Sequence, residues 1–146
     1  MSETAFWRDE IRPSLKSFGI LHRVENSIEE GMPDVVYCLR RTKEDGPGIS
    51  GWIENKHVIK WPSRPSSILR FKRFTQEQAD WLYDWSRIGG KACILAKVGK
   101  DYFLMSGLLA RELRNGMTRT EIWAKAAVTG SGVFPTGRVV LWLTEK

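Results

Sequence analysis

The chain has 146 residues, 42% of them hydrophobic and seven of them Trp, enough to bury a core in one domain and too few for two ordinary ones. Its net charge is +6 with a pI near 9.5, a balance that favours a polyanionic partner such as nucleic acid. No apolar run approaches the roughly 20 residues that span a bilayer, and the first ten residues have no apolar signal-peptide core, so a cytoplasmic protein without membrane contact is expected.

Trp7, Ile11, Leu15 and Phe18, spaced 4, 4 and 3 apart, predict an N-terminal helix. Pro13 predicts a kink in it, or two short helices with Pro13 near the start of the second. Gly19 closes this unit and residues 20–25 alternate like a strand. A turn at residues 29–32 leads into Val35–Leu39, an apolar run that suits an inner strand. After a polar loop over 40–50, Ile49–Ile59 is the next strand, and a basic loop fills roughly 60–74.

Thr75 and Gln78 have capping-box spacing and open a helix whose buried stripe is predicted at Leu82, Trp85 and Ile88, ending at Gly89-Gly90. Ala92–Val98 and Tyr102–Met105 form a predicted hairpin across Gly99-Lys100, whose leading glycine suits a type II′ turn. Residues 108–113 and 122–127 read as short helices, the second opened by Thr118 and Glu121. Arg138–Leu143 reads as a final strand. The order predicts an α/β sandwich around a mixed sheet, with residues 106–146 packing on the core. Cys38 and Cys93, each in an apolar run, are expected to behave as buried thiols. His22 and His57 stand alone, so no zinc spacing exists.

The residues that carry chemistry are Asp34, Glu54 and Lys56. Positions two apart on a strand share a face, about 6–7 Å from each other. Glu54 and Lys56 therefore point the same way, with Trp52 and Val58 extending the face. If the strand opened by Asp34 pairs with theirs, Asp34 and Glu54 bring carboxylates together around one Mg²⁺, an ion that takes oxygen ligands and keeps waters. Lys56 beside it would orient or help deprotonate an attacking water. As strings these motifs are weak, each arising by chance in roughly a third to a half of chains this long. An ordinary ion pair on a solvated face is the alternative. Against it stand the flanking apolar residues and the segment that follows. From Asn55 to Gln76 there is no Asp or Glu, while Lys60, Arg64, Arg70, Lys72 and Arg73 stand among Trp61, Phe71 and Phe74, a pattern suited to a phosphate backbone.

His22–Asn26, Gly31-Met32-Pro33-Asp34-Val35 and Gly51–Lys56 together resemble the PD-(D/E)XK nucleases of phages, within them the VRR-Nuc and Holliday-junction-resolvase-like group. Phe74–Trp81 and the 92–105 hairpin fit the same pattern, so the resemblance covers roughly residues 5–105. It implies a restriction-endonuclease-like three-layer sandwich and a Mg²⁺-dependent DNA endonuclease (Mn²⁺ substituting), often a homodimer, with no small-molecule cofactor. Asp34 and Glu54 take the metal-ligand positions and Lys56 the catalytic-lysine position. A third carboxylate would be Glu25, with Glu10 as the alternative. Gln78 matches a glutamine on the helix after the catalytic strand, although a capping box competes for its side chain and leaves Gln76 as the fallback. Asn55 stands where such strands more often carry an apolar residue, which suggests an amide facing solvent on an edge strand. A DNA-binding or packaging module without catalysis, and an RNA substrate, remain the alternatives.

Overall fold

The computed structural model describes residues 2–24, 30–42 and 46–146. It begins with helix α1 (Glu3–Phe6), whose first turn is capped by the Ser2 hydroxyl. A π turn (Trp7–Ile11), helix α2 (Arg12–Leu15) and a 3-10 turn (Lys16–Phe18) continue it without a break. Pro13 does stand in the first turn of α2, but the rod is not severed there. The Arg12 N–H reaches back five residues to the Trp7 carbonyl, and this widened turn is how the helix accommodates the proline.

Strands β1 (Gly19–Arg23), β2 (Val35–Leu39) and β3 (Ile49–Val58) form an antiparallel meander. The short strand β4 (Ile68–Leu69) interrupts the basic loop, where none was predicted. Helix α3 (Gln76–Arg87) then crosses over to β5 (Ala92–Val98), which lies parallel to β3. Strand β6 (Asp101–Ser106) pairs back on β5 through Gly99 and Lys100, with Gly99 at φ +61° as a primed hairpin turn requires. Helices α4 (Ala110–Asn115) and α5 (Arg119–Lys125) flank β7 (Met117–Thr118), which pairs with β4. Strand β8 (Val128–Ser131) joins β6, and helix α6 (Thr136–Leu143) closes the chain.

The main sheet runs β1-β2-β3-β5-β6-β8, mixed because only the β3–β5 pairing is parallel. Helices cover both faces, as an α/β sandwich requires. On one face Phe6, Ile11 and Leu15 of the N-terminal rod meet Leu95, Leu104, Val139 and Leu143; on the other, Leu82, Leu113 and Ile122 meet Ile94, Ala96 and Phe103. Each fully buried Leu, Ile, Val or Phe among these contributes about 1.5–3 kcal/mol. The Tyr37 hydroxyl donates to the Leu143 carbonyl at 2.9 Å, tying the sheet to the end of α6.

Four expectations are corrected. Residues 138–143 are helical, because Val139, Val140 and Leu143 fall on one side of a helix over the sheet, and β6 finds its outer partner in β8. On α3 the buried residues are Ala79 and Leu82, whereas Trp85 is 41% and Ile88 79% exposed. The Trp85 ring stacks on Trp81 at 4.9 Å instead of entering the core. Cys38 is exposed while Cys93 is buried. Finally, β3 is an inner strand, and Asn55 is 1% exposed.

Gly31 fixes the approach to Asp34. Its φ is +86°, and a Cβ there would lie 2.5 Å from the Glu77 carbonyl oxygen, so the turn packs directly on the first turn of α3. Gly31→Ala is therefore expected to lower stability by about 1–3 kcal/mol, combining the left-handed backbone with the clash. The shift in urea midpoint measures it. An unchanged midpoint would mean that the turn and α3 separate freely.

Candidate active site

The site forms where β3 outruns β2. Their last paired residues are Val35 and Ile53, and one further step in that register sets Asp34 opposite Glu54. The Asn55 N–H, which no β2 residue meets, donates to Asp34 Oδ2 at 3.0 Å. Asp34 is thus held by the strand it neighbours, and the Glu54 carboxyl feels its charge.

Glu54 and Lys56 are both 1% exposed. The Lys56 ammonium has three N–H donors. It finds three oxygens: Glu54 Oε2 at 3.2 Å, the Arg73 carbonyl at 2.9 Å and Gln78 Oε1 at 3.4 Å. The Phe74 ring lies 5.1 Å away and closes one side. Glu54 Oε1 is buried without a hydrogen-bond partner among the described residues.

Gln78 does not have to choose between capping and the site. Its Oε1 accepts from the Thr75 N–H at 3.0 Å, completing the capping box, and from Lys56 as well. One carbonyl oxygen has two lone pairs, so both contacts coexist. Gln76 lies elsewhere, bonded to Asp80 and Arg114.

Neither sequence-based candidate for a third carboxylate is seen beside the pair among the described residues. Glu25 lies outside the described residues. Glu10 is engaged by Lys97 at 2.6 Å and by the Tyr102 hydroxyl. Among the described residues Glu3, in the first turn of α1, also has a carboxyl that feels the charges of Lys56 and Asp34. Burial raises its pKa, Asp34 adds to the rise, and Lys56, Arg73 and Arg23 oppose it. An acid in a first helical turn is too ordinary a signal to have marked Glu3 in the sequence. Among the described residues no three Asp, Glu, His or Cys side chains converge into a ready-made metal cage. A Mg²⁺ site needs fewer, since one or two carboxylates suffice when waters complete the shell. The buried Glu54 Oε1, unpartnered among the described residues, fits such an ion.

Beyond the pair, the open edge of β3 borders a groove of about 710 Å³ lined by Glu3, Arg23, Lys60, Arg70, Lys72 and Arg73. Four of the five basic residues singled out from the sequence meet there, joined by Arg23. Arg64 is exposed but does not line it. Among the described residues no helix is long and apolar enough to cross a membrane.

No protein-family model matches the chain, and no curated protein sequence does. Among solved structures it is similar to Hjc, a Holliday junction resolvase of Archaeoglobus fulgidus, an archaeal hyperthermophile. The two are 19% identical with a TM-score of 0.48, over 84% of this chain and 96% of the other. A likeness of this size carries nothing about the chemistry of the site, which rests on the residues themselves.

Burial, and then the charge of Asp34, hold the Glu54 carboxyl well above its ordinary value of 4.5, with Lys56 pulling the other way. A carboxyl that keeps its proton more tightly when folded stabilises the fold fully below the unfolded value and loses that contribution as pH rises through the raised one. Glu54→Gln, neutral throughout, lacks the titration. In metal-free buffer the wild-type chain should therefore lose stability relative to Glu54→Gln as pH is raised above the ordinary value of 4.5, read as denaturant midpoints at each pH. Parallel midpoints would mean that Glu54 ionises there without cost.

Proposed function

We propose that the chain is a metal-dependent endonuclease of the PD-(D/E)XK class, hydrolysing phosphodiester bonds of duplex or branched DNA. The observation that supports this reading is the opposed pair Asp34 and Glu54, with a Glu54 oxygen unpartnered among the described residues, on the strand whose end at His57 and Val58 lines a basic groove. Asp34 and Glu54 would hold Mg²⁺, or Mn²⁺ in its place, with Glu3 reaching the ion's water shell. When bound, the metal lowers the pKa of its water and stabilises charge gathering on phosphorus.

The chain's own residues do the rest. Lys56 places a fixed positive charge within reach of the Glu54 carboxylate, where the scissile phosphate would arrive. With all three donors engaged it acts by orienting water and offsetting charge, and its longest contact, to Gln78 at 3.4 Å, is the one most readily exchanged for a phosphate oxygen. Gln78 and the Arg73 carbonyl position the ammonium. Lys60, Arg70, Lys72 and Arg73 track the backbone of the substrate, contacts that carry affinity and no sequence information. In-line attack by water gives a 5′-phosphate and a 3′-hydroxyl. Paired cuts across a four-way junction would require a second copy of the chain, hence a homodimer.

Asp34→Ala and Glu54→Ala should each lower Mg²⁺-dependent cleavage of supercoiled and four-way-junction DNA by about 10³-fold or more while leaving binding within a few-fold, since each removes metal or transition-state contacts and not phosphate contacts. Full cleavage by either variant overturns the assignment. Salt-sensitive binding by a wild-type chain that cuts neither DNA nor matched RNA under Mg²⁺ or Mn²⁺ would mark a binding module instead.

Lys72→Ala should weaken binding to unrelated duplexes evenly and reduce the slope of log affinity against log salt by about 1. The same slope in both proteins would place the DNA away from this groove.

A further inference from the structure

We propose that Asn55 is a positioning residue of the cleavage site: its side-chain amide anchors the start of the N-terminal helix and so holds Glu3 at the groove that β3 borders, where its carboxylate strengthens metal binding. The inference rests on the nuclease reading above and concerns a residue that touches neither metal nor phosphate.

Asn55 lies between Glu54 and Lys56, so its side chain leaves the opposite face of the sheet, the one covered by the N-terminal rod. There Nδ2 donates to the Glu3 carbonyl at 2.8 Å, across 52 positions of sequence. The same residue's main-chain N–H holds Asp34 Oδ2 at 3.0 Å. One residue thus grips two of the three acids, one by its backbone and one by its side chain, from a position adjacent to the third. Glu3 lines the groove at the open edge of β3 and senses the charges of Asp34 and Lys56.

Core stability does not account for an amide at this position. Asn55 is 1% exposed and its Oδ1 has no hydrogen-bond partner among the described residues. A half-satisfied buried amide is worse for folding than an apolar side chain of similar volume. Holding Glu3 is the one thing the amide does here that such a side chain could not. Local helix bonding does not fix Glu3 against the sheet, because its carbonyl otherwise accepts only from within α1.

The test is Mn²⁺ titration calorimetry on the full chain, with Mg²⁺ dependence of cleavage alongside. Asn55→Leu, similar in volume, and Asn55→Asp, which removes the donor without changing shape, should each weaken Mn²⁺ binding by about 10-fold, the scale of losses from outer-shell partners. Glu3→Gln, which keeps the carbonyl but loses the charge, should do the same. Because Asn55 acts through Glu3, Asn55→Leu added to Glu3→Gln should cost nothing further, and DNA affinity should stay within two-fold in every variant. A merely structural Asn55 would give losses that add in the double variant, and that result overturns the proposal. So does Glu3→Gln binding Mn²⁺ as tightly as a wild-type chain that binds it and cuts DNA. A wild-type chain that neither binds Mn²⁺ nor cuts overturns the nuclease reading, and this proposal with it.

Discussion

The site depends on one mismatch in length: β3 continues to Val58, while its partner β2 begins only at Val35, opposite Ile53. The half of β3 that follows would expose unpaired N–H groups along an inner strand, a situation folded chains avoid. Here the first of them is met by a carboxylate, that of Asp34, in place of a carbonyl. The substitution matters chemically, because it draws an acid into the register position facing Glu54. Where no strand follows, there is room for a groove. The same interrupted pairing therefore supplies the acid pair, the access and the open edge past which α1 packs.

Charge balance shapes what this pocket can do. A buried Glu–Lys pair is seldom a net gain in stability, since desolvating both ions costs several kcal/mol and only good geometry with further hydrogen bonds offsets it. Lys56 meets that condition with three oxygens around it. Glu54 does not: one oxygen is unpartnered and a second carboxylate stands beside it. The asymmetry is informative. A pair kept for structure would satisfy both members, whereas this one leaves the acid under-compensated and the base held, the distribution expected where a further cation belongs.

The sequence was most readable where local pattern and tertiary environment agree. The Thr75–Gln78 box, β2, β3 and the 92–106 hairpin lie where periodicity and turn chemistry put them. Asp34, Glu54 and Lys56 were found as strings, but their meeting is a consequence of register, which no string contains. Residues 138–143 misled because Val-Val-Leu-Trp-Leu favours a strand by propensity, and only packing against Leu15 and Val128 turns it into a helix. Asn55 was misjudged for a similar reason, since its side chain was weighed as polar surface when a carbonyl 52 residues away receives it. Glu3, which shares charges with Asp34 and Lys56 only through the fold, carries no local mark in the sequence.

Gln78 shows how little separates fold from chemistry here. Its carbonyl oxygen closes the capping box of α3 and also touches Lys56, so the helix start and the lysine's position are set by one atom. Gly31 presses the turn before Asp34 onto the same first turn of α3. The acid on one strand, the lysine on the next and the helix that follows are therefore fixed together through adjacent backbone at residues 75–78. Fraying of that turn would release the ammonium and the turn before Asp34 at once. An ordered first turn of α3 is in this way a condition for the acid pair to face Lys56 at all.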